Sequence, residues 1–196
     1  MKRRMQHVAR SSAGVRPSGG FASALMVSMV ALSILAPSIS GSASYSESEV
    51  KAAFLLNFTR FVDWPESSFE GEQAPFVICV LNDSEFATTT AEVIGDHTVN
   101  DRTIAIQERI DVVDSAGCHI FFVPEGEAGQ HRALIEQTSG RSVFTISAAT
   151  GFAEMGGVAN FIRSGKKIRL EINRRAAESA NLKVSARLLR IVNVIG

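Results

Sequence analysis

The chain is poor in the residues that usually carry chemistry. It has two cysteines, four histidines, one tryptophan and one tyrosine in 196 residues. Two cysteines cannot build the multi-bridge framework of a small secreted scaffold or supply a four-thiolate zinc site. Past the N-terminal region the histidines are His97, His119 and His131, none spaced three or four residues from another His or a Cys. Cys118 and His119 are adjacent, but neighbouring strand residues point to opposite faces and so do not chelate together. No metal and no cofactor is therefore expected. There is no G-x-S-x-G elbow, and the glycine-rich stretch 151–157 (GFAEMGG) lacks the Lys-Ser/Thr pair of a phosphate loop and precedes a strand. Its glycines read as turn residues.

An excess of either charge is also missing from the whole chain, which has 20 basic and 20 acidic residues. The balance hides an uneven distribution. Lys2, Arg3, Arg4, Arg10 and Arg16 precede residue 44 with no acidic residue among them, so residues 44–196 hold 15 basic and 20 acidic residues. A negative body argues against a general nucleic-acid partner. The basic leader is followed by an uncharged apolar stretch, Phe21 to Pro37, and by Gly41-Ser42-Ala43. That order of zones is the anatomy of a cleaved signal peptide, with the cut expected after Ala43. The apolar core is shorter than the roughly 20 residues a spanning helix needs, and serines interrupt it. The expectation is a leader over residues 1–43 and one exported domain over 44–196, a typical length for a single core.

Within that domain, Ser46 followed by alternating Glu and Ser marks a helix start. Val50, Ala53, Phe54, Phe58 and Phe61 follow at helical spacing up to Trp64-Pro65. Phe76–Leu81 is a continuous β-branched and apolar run, the pattern of a strand buried on both faces. Ser84 is placed to cap a helix ending at Ile94-Gly95. Further strands are expected at Thr103–Ile106, His119–Val123 and Ser142–Ser147, with a helix over Glu127–Thr138 between the last two. Strand and helix alternating with short links predicts a three-layer, doubly wound α/β fold on a mainly parallel sheet. Val158–Ile162 and Lys167–Ile172, joined by Arg163-Ser164-Gly165-Lys166, predict an antiparallel hairpin at the C-terminal edge. Asn173 is placed to cap a helix, and Ser185 opens a last helix striped by Leu188, Leu189, Val192 and Ile195.

Asp83, at the carboxyl end of the first buried strand, sits where open α/β sheets place ligands. The basic residues of the hairpin, Arg163, Lys166, Lys167 and Arg169, read first as a solvated edge. Cys79 and Cys118 each lie in or beside an apolar run, and sequence alone leaves open a bond or two buried thiols.

Lys51-Ala-Ala-Phe-Leu-Leu-Asn-Phe-Thr-Arg-Phe-Val-Asp-Trp-Pro65 resembles the opening helix of the YfiR-like family of exported bacterial proteins. The resemblance continues through Val77–Val80, Cys118–Val123, Gly156-Gly157 with Asn160-Phe161, Lys167–Asn173 and Leu182–Leu189. It implies a non-enzymatic periplasmic regulator that represses an inner-membrane diguanylate cyclase by binding its periplasmic domain, and so lowers cyclic di-GMP and restrains biofilm growth. It also implies a homodimer and a further partner, an outer-membrane OmpA-like protein. Cys79 and Cys118 match one cysteine pair of the family's best-known member, which favours a disulfide. That member's second pair, near the Gly-Gly loop, is absent here, where Met155 and Phe161 stand. Asn160, Phe161 and Glu171 are the candidate partner- or ligand-binding residues the resemblance carries over. A small-molecule sensor acting on another membrane partner is the alternative.

Overall fold

The computed structural model describes residues 45–196, Lys166 excepted, so the expected leader lies outside the described residues. Helix α1 spans Glu47–Phe61, and Ser46 with Glu49 closes a reciprocal capping box at its start. It ends before Trp64-Pro65, because the chain enters a short strand, β1 (Val62–Asp63). Strand β2 (Phe76–Leu81) is buried at all six positions. It leads into α2 (Ser84–Ile94), whose cap is Asp83, not Ser84: the Asp83 carboxylate accepts from the Phe86 amide at 2.9 Å.

A pair too short to leave a periodic signal comes next. Strand β3 (Thr98–Val99) turns back antiparallel into β4 (Arg102–Arg109) through Asn100 and Asp101, both at positive φ. Two left-handed residues between paired strands make the tight hairpin that asparagine and aspartate tolerate. β4 is twice the expected length, because Gln107, Glu108 and Arg109 continue the extended pairing with β2. Strand β5 (Ile120–Val123), helix α3 (Ala128–Gln137) and strand β6 (Phe144–Ser147) fall where the sequence pattern puts them. The hairpin of β7 (Ala159–Ser164) and β8 (Lys167–Asn173) follows, and Asn173 caps α4 (Arg174–Ser179) by accepting from the Ala176 amide at 3.0 Å. Strand β9 (Lys183–Val184) pairs with β1 in a separate two-stranded sheet.

The C-terminus departs from expectation. Helix α5 (Ala186–Leu189) lasts four residues; Val192 lies in a bend and Ile195 in a strand, β10 (Asn193–Ile195). β10 pairs parallel with β8, so the hairpin is inside the sheet and β10 forms its edge. The main sheet runs β10-β8-β7-β6-β5-β2-β4-β3 and is parallel except at β7–β8 and β3–β4. Strand alternation divides the core: Phe76, Ile78 and Val80 join α1 and α2 on one face, while Val77, Cys79 and Leu81 join Leu134 of α3 on the other. This is the three-layer α/β arrangement with a mainly parallel sheet.

Candidate functional site

The carboxyl ends of β5 and β6 stop short of the β7–β8 hairpin, which runs on past them. β6 pairs with β7 only through Ile146 and Ser147, whereas the hairpin ladder continues to Ser164 and Lys167. The step leaves an open cleft of about 460 Å³. Its floor and walls come from Glu125 after β5, the loop after β6 (Ala148, Gly151, Glu154), the hairpin (Phe161, Arg163, Glu171) and the first turns of α1 (Glu47, Lys51). A crevice outside the carboxyl ends of strands is the usual ligand position in open α/β sheets.

The wall is closed by charge. Arg163 of the hairpin reaches Glu47 of α1 at 2.6 Å, and Lys51 meets the other Glu47 oxygen at 2.7 Å. Hydrogen bonding from Lys51, then from Arg163, holds the Glu47 carboxyl below its ordinary range. The rest of the rim is acidic, with Glu125, Glu154 and Glu171, beside apolar Phe161, Ile162 and Ile168.

The three expected site residues divide here. Phe161 and Glu171 line the cleft, but Asn160 does not. Phe161 packs toward α1, 5.8 Å between ring centroids from Phe54. Glu171 is largely buried and takes a hydrogen bond from Asn193 of β10, a neighbour hidden from sequence reasoning because that segment reads as helix. Asn160 stands opposite Glu171 in the ladder, yet its amide is directed into the protein. It donates to the carbonyls of Ser147 at 3.2 Å and Phe161 at 3.1 Å, and accepts from the Ala153 amide at 3.4 Å. Asn173 donates to the Ala153 carbonyl at 2.8 Å. The two asparagines thus clamp the 148–157 loop that floors the cleft.

A second brace lies under the same loop. Ser147 Oγ donates to the Val123 carbonyl at 2.7 Å, accepts from the Ala149 amide at 3.0 Å and lies 3.0 Å from His131 Nε2. Both side chains are buried, and burial pushes the imidazole below its usual pKa. The hydroxyl proton is committed to a carbonyl, so this Ser–His pair holds a loop and does not free a nucleophile. Sixteen residues separate the two, and no local spacing announces them.

Asp83 is likewise committed, to the α2 cap. Among the described residues no three His, Cys, Asp or Glu side chains converge as metal ligands. The amino end of the sheet carries the disulfide: Cys79 and Cys118 are bonded, with Cα atoms 5.8 Å apart. His119 takes the opposite face from Cys118, stacked between Phe69 and Phe76 at 4.4 and 4.8 Å.

A family model described as YfiR/HmsC-like matches residues 48–193, which takes in the disulfide and the cleft lining apart from Glu47, and ends at the first residue of β10. The chain belongs to the YfiR/HmsC-like family. No curated protein matches it. Among solved structures, this YfiR/HmsC-like chain is similar to a conserved domain protein from Vibrio cholerae O1 biovar El Tor, at a TM-score of 0.52 and 13% identity. The match covers 77% of this chain and 60% of the Vibrio chain, and at that identity it speaks for the fold alone.

Proposed function

We propose that this YfiR/HmsC-like protein is an exported, non-enzymatic regulator that represses a membrane-bound diguanylate cyclase through contact with the cyclase's periplasmic domain. The observation that carries the reading is the family match over residues 48–193. The basic leader, apolar core and small residues before Ser44 support export to the periplasm. Among the described residues no helix is long and apolar enough to cross a membrane, in keeping with a mature domain that meets its partner from outside the bilayer.

The contact surface in this reading is the cleft, with Phe161 and Glu171 in its lining and Asn160 positioning the floor. Repression is a shift between two cyclase forms: the regulator lowers activity by the difference in its affinity for the inactive and active forms. A competing partner at the same rim, such as an outer-membrane OmpA-like protein, removes that difference. Deleting the gene is expected to raise cyclic di-GMP and surface attachment, and the wild-type protein to co-purify a membrane cyclase. Unchanged cyclic di-GMP together with no associated cyclase overturns the reading. Intact mass beginning after Ala43 checks export.

The cleft, about 460 Å³, favours a second reading as a sensor of a small molecule. Thermal stabilisation by one metabolite in a screen, lost in Glu171→Gln, separates it from the first.

A further inference from the structure

The cleft contains a buried charge that its surroundings leave unbalanced. Glu171 lines the cleft, yet only 7% of its surface is exposed. Its register keeps it between two neutral neighbours, Asn160 of β7 and Asn193 of β10. Glu171 Oε2 accepts from the Asn193 amide. Among the described residues Oε1 has no hydrogen-bond donor, and it is not sealed in the protein, so it opens on the cleft. Arg169, two residues back on the same face of β8, makes no ion pair among the described residues. A carboxylate withdrawn this far from water is costly unless a cation or further donors reach it.

The cations of the cleft are engaged elsewhere. Lys51 and Arg163 both bind Glu47 at the mouth, at 2.7 and 2.6 Å. Glu125 and Glu154 are exposed at the rim and belong to no ion pair among the described residues. Glu154 is turned over the loop floor, its Oε2 3.7 Å from where a Cβ on Gly151 would stand. The described lining therefore holds four carboxylates against two cations, two negative charges in excess. Its apolar surface comes from Ala148, Phe161, Ile162 and Ile168.

We propose that the cleft binds a short aliphatic diamine, with one ammonium group on Glu171 Oε1, the other at Glu125 and Glu154, and the methylene chain against the apolar side chains. The proposal rests on the small-molecule reading above and supplies its ligand class. A dication neutralises the excess charge of the lining. One ammonium gives Oε1 the donor it lacks, in a charge-assisted bond stronger than a neutral one. A monoamine satisfies Glu171 and leaves the rim carboxylates unmatched, and an anion meets a negative lining whose two cations are already paired.

Calorimetric titration of the purified protein at low salt, with 1,4-diaminobutane and 1,5-diaminopentane as probes, tests this. Both should bind saturably at one site and raise the thermal midpoint. Pentylamine should bind more weakly, and 1,5-pentanediol and glutarate should not bind. Glu171→Gln keeps the side-chain shape and an acceptor for Asn193 while removing the charge. It should weaken diamine binding at least about tenfold, the effect of losing a hydrogen bond to a charged group. Its ligand-free midpoint should be at or above that of the wild type, since no uncompensated buried charge remains. Glu125→Gln and Glu154→Gln, at the exposed rim, should each weaken binding by no more than about fivefold. Diamines that bind Glu171→Gln as tightly as the wild type overturn the proposal, and so does a ligand-free midpoint that falls in that variant. A neutral or anionic metabolite that stabilises the protein where diamines fail sinks the diamine assignment and leaves the sensor reading standing. A lysine-bearing peptide that binds where free diamines fail gives the carboxylates to the protein partner and equally refutes it. Absence of stabilisation by any metabolite removes both.

Discussion

The two ends of the central sheet are built to different purposes. At the amino end the strands are tied together by strong, buried links. The disulfide joins the β2 strand to the segment before β5, Trp64 Nε1 donates to the His119 carbonyl at 3.2 Å, and Arg141 grips the Ser115 hydroxyl and carbonyl at 2.9 Å each. Arg102 lies 4.0 Å above the Phe69 ring, itself stacked on His119. At the carboxyl end the surface features are an open cleft, a ring of carboxylates and an exposed ion pair, with the order supplied from beneath by asparagines and a Ser–His brace. The contrast is one of build: the buried cross-links sit at one end and the proposed recognition surface at the other. Substitutions at the amino end should cost stability first, and those at the carboxyl rim should alter binding first.

The largest expected effect comes from the disulfide. Its closed loop has a sequence separation of 39 residues, for which chain entropy gives about 4 kcal/mol. Replacing Cys79 and Cys118 together by serine should lower the unfolding free energy in denaturant by about that amount, with the proposed repression retained at low temperature. Loss of repression without loss of stability would break the comparison.

Next is His119. Its Nδ1 accepts from the Val77 amide at 3.0 Å and its Nε2 faces the Ser68 carbonyl at 3.2 Å, an arrangement that needs the neutral ring. Burial, aided by the Arg102 charge, lowers its pKa from 6.5 to about 4. The unfolded chain binds the proton more readily, so the stabilisation is fully present above about pH 6.5 and is lost as pH falls toward 4. At about 1.4 kcal/mol per pKa unit, roughly 3 kcal/mol should disappear across that window. His119→Gln should flatten this part of the pH–stability curve. An unchanged acid slope in that variant assigns the slope to other groups.

Asn160→Ala should cost less, about 1–3 kcal/mol, the range for leaving buried partners unsatisfied. It sharpens the comparison because the lost bonds hold the cleft floor. Amide exchange across residues 148–157 should quicken while that of β2 stays slow. Uniform quickening would mean that the clamp serves the whole domain.

How far these features were legible in the sequence follows from burial. Strands buried on both faces, such as Phe76–Leu81, leave continuous apolar runs, and the β7–β8 hairpin leaves a glycine-bearing turn between two runs. Edge strands leave neither: the outer half of β4 is polar, and Asn193–Ile195 sits among apolar residues that fit a helical stripe equally well. The helix pattern there fails because strand pairing with β8 takes the chain after Leu189. The same failure hid Asn193 as the partner of Glu171. For the site, Asn160, Phe161 and Glu171 came from the family resemblance and not from residue type or spacing; Phe161 and Glu171 line the cleft, and Asn160 lies beneath it. Which of them meets solvent depends on strand alternation and on where β6 ends, and only three-dimensional packing fixes the second.

The smallest effect on stability, and the most informative about function, is expected at Arg163. Its guanidinium is exposed, and its link to Glu47 at 2.6 Å crosses the cleft mouth from hairpin to α1. Solvent and salt screen such a pair, so Arg163→Ala should leave the thermal midpoint unchanged. The same substitution frees one rim from the other and leaves Glu47 to Lys51 alone, making the mouth more negative. A partner that docks by its basic residues should then bind more tightly at low salt, and one that docks by its acidic residues more weakly. Either shift should shrink as ionic strength rises. If Arg163→Ala instead lowers the midpoint as the cysteine replacements do, the carboxyl end is a stabilising element too, and the division between the two ends fails.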